Sequence, residues 1–239
     1  MISIVTGTLN RLHFLPKLIE TTVHKNDFLE LILVDGGSND GTQEYIKSLK
    51  NDRIKLIEIG KRSSYPHFMN IGIENAKFDY ICQWNDDALL VNEWSEVLEK
   101  LDNEHDFYIF NWKYGNLEDM KNPDWISGIY HENTVNKGWC IVVDINNQEI
   151  IMNYGIYNKK IFKEIGMYYP EFNYYYADGD MSMRSFYFNF KLKELPEIRV
   201  CSLYTHKNAI QTNSDYKIYQ ELLNQYKNLH LNNNHIFLK

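Results

Sequence analysis

Cysteine is scarce: Cys82, Cys140 and Cys201 stand far apart and form no CxxC pair. That excludes a paired-cysteine framework, and two of the three lie in apolar runs, so they read as buried thiols in a reducing compartment. Net positive charge is lacking as well. The formal charge of −7 excludes a broad phosphate-backbone partner such as nucleic acid, but not a local positive site for a small anion. No apolar run approaches the ~20 residues needed to span a bilayer. The opening MISIVTGTLNR has no basic leader and reads as a first strand rather than a signal peptide. A soluble, cytoplasmic protein is the expectation. A peripheral contact with a membrane surface and the oligomeric state stay open. No internal repeat or boundary-type linker interrupts the 239 residues, so they read as one domain. Hydrophobic residues reach 44%, enough for a core, and the 18 tyrosines cluster late. Such side chains suit walls that pack on one side and hydrogen-bond on the other.

The first hundred residues alternate regularly. β-branched or apolar runs at 2–5, 29–34, 54–59 and 80–84 read as strands buried on both faces. Between them, helices are expected from Leu15, with Pro16 in its first turn, over 42–49 and over 67–77. Asp40 is placed to cap the second helix, with Gln43 as its capping-box partner. This β-α-β-α-β-α-β order predicts a doubly wound, mostly parallel sheet. After a helix at 92–101 the texture becomes irregular. Strands are expected at 107–112 and 138–145, helices at 162–165, 180–187 and 215–229.

In an open parallel sheet, ligands bind beyond the carboxyl ends of the strands. Four successive strand ends carry small, polar or charged residues: Thr6, Thr8, Asn10 and Arg11; Asp35, Gly37, Ser38 and Asp40; Lys61 and Arg62; Asn85, Asp86 and Asp87. Each has a plainer reading. Gly36-Gly37 suits a tight turn, Asp40 a helix cap and Arg62 a solvated loop. A cap ahead of LLVNEWSEVL would use one acid of Asp86-Asp87 and leave the other unexplained. Paired acids suit a hard divalent cation, Mg²⁺ or Mn²⁺, held through carboxylates and phosphate oxygens.

SIVTGTLNR, LILVDGGSNDGT and QWNDD resemble, in order and spacing, the nucleotide-binding half of inverting family 2 glycosyltransferases with the GT-A fold. The resemblance implies one Rossmann-like α/β domain: 1–103 would bind the nucleotide sugar, and an irregular α+β half, 104–239, would bind acceptor and supply the base. It implies that Asp35 accepts the imide hydrogen of the nucleobase and that Thr6 and Thr8 line the base and ribose pocket. Arg11, Gly37, Ser38, Asn70 and Asp86 would complete the nucleotide site, and Asp87, helped by Asp86, would hold the metal at the diphosphate. Two departures are visible. Asn85 replaces the first acid of the D-x-D motif; it can bond a ribose hydroxyl but is a poor metal ligand. The family's A-R-N-x-G segment is F-M-N-I-G here, residues 68–72, with Met69 in place of the arginine, and Arg62 in the preceding loop would be its substitute.

Inverting transfer needs a base for the acceptor hydroxyl. FNYYYADGDMSMRSF resembles the family's segment at that place, with Ala177 where an acid is usual and Asp178 as candidate base. The alternative is that Asp178 and Asp180 cap the helix, with Arg184 pairing with Asp180. His206 is a candidate metal ligand in the manner of many GT-A enzymes, or a solvated histidine. The aromatic stretch offers Trp125, Tyr154 and Tyr176 as acceptor contacts, alongside Tyr130, Trp139, Tyr174 and Tyr175. The expected activity moves a sugar from a nucleoside-diphosphate sugar, with uridine favoured, to a glycan or glycoconjugate hydroxyl in polysaccharide biosynthesis. The alternatives are a non-catalytic nucleotide-sugar-binding module and a nucleotidyltransferase. TGTLNR lacks the glycine-rich phosphate loop that the last would need.

Overall fold

A computed structural model describes residues 1–131, 137–144, 149–203 and 213–232. Strand β1 (Ile2–Thr8) leads through helix α1 (Leu15–Thr21) to β2 (Leu29–Asp35). The chain continues through α2 (Thr42–Ser48), β3 (Ile54–Glu58), α3 (Tyr65–Glu74) and β4 (Tyr80–Gln83). All four strands are parallel, with β1 between β2 and β4 and with β3 outside β2. The chain therefore winds outward from β1 to β3, then returns to the other side of β1 with β4. That reversal opens a crevice at the carboxyl ends of β1 and β4.

The apolar runs are explained by burial on both faces. In β2, Ile32 and Val34 pack with Met69 and Ile73 of α3. Their neighbours Leu31 and Leu33 pack with Leu15, Leu18 and Ile19 of α1. Successive side chains alternate faces, so a strand covered on both sides must be apolar throughout. Gly72 lets α3 lie against β1, for a Cβ there would fall 2.2 Å from Val5 Cγ1.

Beyond β4 come β5 (Ala88–Leu90), α4 (Trp94–Lys100), β6 (Phe107–Tyr114), the short α5 (Pro123–Ile126), β7 (Val142–Asp144) and β8 (Glu149–Ile151). Then follow β9 (Gly155–Asn158), α6 (Lys159–Ile165), α7 (Ala177–Tyr187), β10 (Leu192–Ser202) and α8 (Asn213–Asn232). Among the described residues the main sheet has the order β3-β2-β1-β4-β9-β6-β10-β5. Only β9 and β5 run against the rest, so the mostly parallel sheet expected from the sequence is present. The single strand expected at 138–145 is instead divided. Trp139 and Cys140 make isolated bridges to Tyr130 and Trp112, and β7 pairs with β8 as a separate ribbon. Pro196 sits where β10 shifts register against β6, between Leu195 and Arg199. A bulge is where a residue without an N–H is tolerated inside a sheet. All three cysteines are buried and free.

Candidate active site

The crevice between β1 and β4 widens into a cavity of about 680 Å³, whose walls include Thr8, Asn10, Arg11, Gly36, Arg62 and Asp86. Asp35, at the end of β2, builds one wall from behind. It is fully buried and accepts the N–H groups of Gly37 (2.9 Å) and Ser38 (3.0 Å), Gln43 Nε2 (2.6 Å) and the Ser38 hydroxyl. A carboxylate so engaged holds the loop and does not reach the cavity surface. Gln43 thus serves Asp35 rather than a capping box, and α2 begins after Gly41 with no side-chain cap. Gly37 is required by its φ of +91°, and a Cβ there would stand 2.9 Å from the Gly60 carbonyl. Ser38 Oγ accepts the Asn10 N–H at 2.8 Å, and Asn10 Oδ1 accepts the Asn39 N–H at 2.8 Å. These bonds join the ends of β1 and β2. Asp40 accepts from both Thr42 N (3.1 Å) and Leu12 N (3.0 Å), so it bridges the same two loops.

Other expected nucleotide residues divide between wall and scaffold. Thr8, Arg11 and Arg62 line the cavity, and the Arg62 guanidinium lies 5.4 Å from the Tyr174 ring centre. Thr6 does not line it; its side chain is buried and bonds the Gly7 carbonyl at 3.1 Å. Asn70 is also scaffold. Its Nδ2 donates to the Tyr168 carbonyl (2.8 Å) and its Oδ1 accepts the Tyr168 N–H (2.9 Å), tying α3 to the loop before α7.

The turn after β4 brings Asn85, Asp86 and Asp87 to the cavity floor. Neither acid caps a helix, because β5 follows directly and α4 has its own capping box from Glu93 and Glu96. Burial raises the Asp86 carboxyl to about 7, and the charge of Asp87 pushes the same way; Arg11 and the Thr8 hydroxyl oppose them. Two adjacent desolvated carboxyls held this way are relieved by a cation. Among the described residues no three His, Cys, Asp or Glu side chains converge as a complete metal cage. The pair has the oxygen-donor chemistry that a hard divalent ion would need. His206 lies outside the described residues.

A second cavity, about 250 Å³, adjoins the first. Asn85, Asp87, Tyr65, Tyr174 and Tyr175 line both. The smaller one adds Trp112, Tyr114, Tyr154, Tyr176, Ser202 and Asp178. Asn85 Nδ2 donates to Tyr154 Oη at 3.2 Å, and burial raises the Tyr154 phenol. Asp178 sits in the first turn of α7, whose N-cap is Tyr176 in a left-handed conformation. It is therefore inside the helix rather than its cap. Burial raises its carboxyl to about 6, against the Gly179 N–H that it accepts at 2.9 Å. Asp180 is different: fully buried, it accepts from Tyr226 Oη at 2.6 Å and pairs with Arg184 at 3.6 Å. Trp125 lines neither cavity. It packs edge-on against Trp139 at 4.9 Å, with Lys113 Nζ 4.0 Å from its ring centre.

The defining pattern of glycosyl transferase family 2 matches residues 3–189. The chain belongs to glycosyl transferase family 2. Solved structures agree on the fold. The Staphylococcus aureus protein TarS, residues 1–349, superposes with a TM-score of 0.67 at 15% identity, over 94% of this chain and 64% of that one. The same fragment with UDP-GlcNAc gives 0.65 at 14%, over 97% and 72%. The mannosyltransferase PcManGT of Pyrobaculum calidifontis, in complex with GDP-Man and Mn²⁺, gives 0.58 at 12%, over 98% and 65%. This family 2 chain thus spans slightly less than two thirds of the first of these TarS structures and of PcManGT. No curated protein sequence matches it. Its architecture is the GT-A fold. Tyr65, Trp112 and Tyr114 carry no signal in the sequence that marks them as cavity walls. Tyr65 precedes Pro66 in the first turn of α3, and that turn sets its position.

Proposed function

We propose that the chain transfers a sugar from a nucleoside-diphosphate sugar to a hydroxyl of a glycan or glycoconjugate, with inversion at the anomeric carbon. The observation that carries this is the pair of joined cavities, with Asp87 on the wall they share and Asp178 only in the smaller. The larger cavity suits a nucleoside diphosphate: Arg11 and Arg62 offer positive charge, and Gly36 brings backbone close. The smaller, aromatic cavity suits a sugar ring stacked by its C–H face. Uridine is the favoured base, as the UDP and UDP-GlcNAc complexes of TarS support.

Asp178 accepts the proton of the acceptor hydroxyl while that oxygen bonds to the anomeric carbon. The bond from that carbon to the diphosphate oxygen breaks on the opposite face, and the electron pair leaves with the diphosphate. Asp86 and Asp87 would hold Mn²⁺ or Mg²⁺, which when bound offsets charge on the departing diphosphate. No helix among the described residues is long and apolar enough to cross a membrane, and we place the reaction in the cytoplasm. A second reading, a nucleotide-sugar-binding module without catalysis, is favoured by Asn85 and Ala177 at positions usually acidic.

The test is a thermal-shift screen of UDP, GDP, dTDP and their sugars, with and without Mn²⁺. One nucleotide class should stabilise the chain, and more so with Mn²⁺. The absence of any Mn²⁺-dependent stabilisation would contradict the proposal.

A further inference from the structure

Helix α8 lies beyond the residues that match family 2, yet it touches the segment carrying Asp178 at successive levels. At its start, fully buried Asp215 accepts three consecutive backbone N–H groups: Asn173 at 3.1 Å, Tyr174 at 3.0 Å and Tyr175 at 3.1 Å. Asn173 Nδ2 also donates to it, at 3.2 Å. Next, the rings of Tyr216 and Tyr219 lie 5.5 and 5.2 Å from that of Tyr176, the second stacked at 23°. The Tyr219 ring also stands over Gly179, where a Cβ would meet it at 3.5 Å. Further along, Tyr226 Oη donates to Asp180 Oδ1 at 2.6 Å.

The grip has a physical purpose. A carboxylate bonded to three successive N–H groups fixes the peptide planes between them, and charge-assisted bonds are about twice as strong as neutral ones. Tyr176, immediately after, has φ of +65°. A non-glycine residue pays steric strain there and stays only where its surroundings hold it. Here Asp215 holds the chain on one side of Tyr176, and the Tyr216 and Tyr219 rings hold its side chain. Two residues on comes Asp178.

We propose that α8 is a working part of the active site, with Asp215 as a positioning residue. By gripping the 173–175 backbone, just before Tyr176, it sets the direction in which α7 presents Asp178. The inference rests on the reading of Asp178 as the proton acceptor in sugar transfer.

The test compares the full chain with Asp215→Ala and Asp215→Asn; the second keeps the volume and one acceptor oxygen, and decides the matter if the first does not fold. Three quantities are read: hydrogen exchange of the Asn173, Tyr174 and Tyr175 amides, UDP affinity in Mn²⁺, and UDP or GDP release from UDP-GlcNAc or GDP-mannose in Mn²⁺. In folded variants the three amides should exchange at least tenfold faster and release should slow at least tenfold. UDP affinity should stay within about threefold, because a general loss of structure would lower it with the rate. Amides that stay protected overturn the grip. Faster exchange with unchanged release overturns the positioning role. A wild-type chain that releases nothing from either donor contradicts the transferase reading instead, and the exchange data still decide whether Asp215 holds the loop.

Discussion

Asp87 and Asp178 line the same small cavity from different elements, the turn after β4 and the first turn of α7, and only Asp87 also faces the larger one. In the proposed transfer this arrangement would separate the two jobs, handling the leaving diphosphate and taking a proton from the acceptor. Because burial raises the Asp178 carboxyl to about 6, its active form is the ionised one above that pH. In saturating Mn²⁺, which would keep Asp86 ionised, transfer should fall about tenfold per unit as pH drops below 6 and level off above it. Initial rates from pH 5 to 8 check this; a limb near 4 would mean that Asp178 is not the group titrating.

Asp86 supplies a metal prediction. Its carboxyl titrates near 7 in the folded chain against 3.8 for an ordinary aspartate. Between those values the native state binds more protons than the unfolded one, so this group makes stability fall as pH rises from 4 to 7. At pH 8 without metal, Asp86→Asn should therefore be more stable than wild type by about 1 kcal/mol or more, roughly 2–4 °C per kcal/mol for a chain of this size. The same variant should lose most of its stabilisation by Mn²⁺. Calorimetry with and without Mn²⁺ checks both signs together.

Arg11 and Arg62 both line the larger cavity. Changing either to alanine should weaken UDP binding about tenfold, which is ~1.4 kcal/mol, and the wild-type affinity should drop as salt screens the exposed charges. Titration calorimetry at two ionic strengths measures this. Equal affinity in wild type and Arg62→Ala would remove Arg62 as the substitute for the arginine replaced by Met69.

Gly72 tests the packing that frames the crevice. With a Cβ 2.2 Å from Val5 Cγ1, Gly72→Ala must push α3 away from β1. Overpacking of this kind costs about 1–3 kcal/mol, read as a lower denaturant midpoint with an unchanged slope.

Much of the nucleotide half was legible, because a strand covered on both faces must be apolar throughout, and the polar residues that follow Ile32–Val34 and Ile81–Cys82 mark where it ends. The roles of those polar residues were less legible. Asp35 and Asn70 stand where a ligand contact is plausible, but a sequence does not show that a carboxylate is already taken by Gly37, Ser38 and Gln43. β9 escaped notice because GIYN is four residues long and opens on a glycine directly after the bend at Asn153-Tyr154, and its antiparallel place between β4 and β6 depends on distant partners. Trp125 was misleading for a similar reason: aromatic richness does not distinguish a cavity wall from a ring packed on Trp139. Asp215 lies some forty residues from the loop it holds, and no local spacing reveals that contact.

The most direct measurement is transfer by Asp178→Asn, followed as release of nucleoside diphosphate from the donor that the thermal-shift screen identifies. Asparagine keeps the shape but cannot take the proton. Release should fall 10²–10⁴-fold, the usual share of general-base catalysis, while donor affinity stays unchanged. Undiminished release from Asp178→Asn would contradict the assignment on which the account of the site rests.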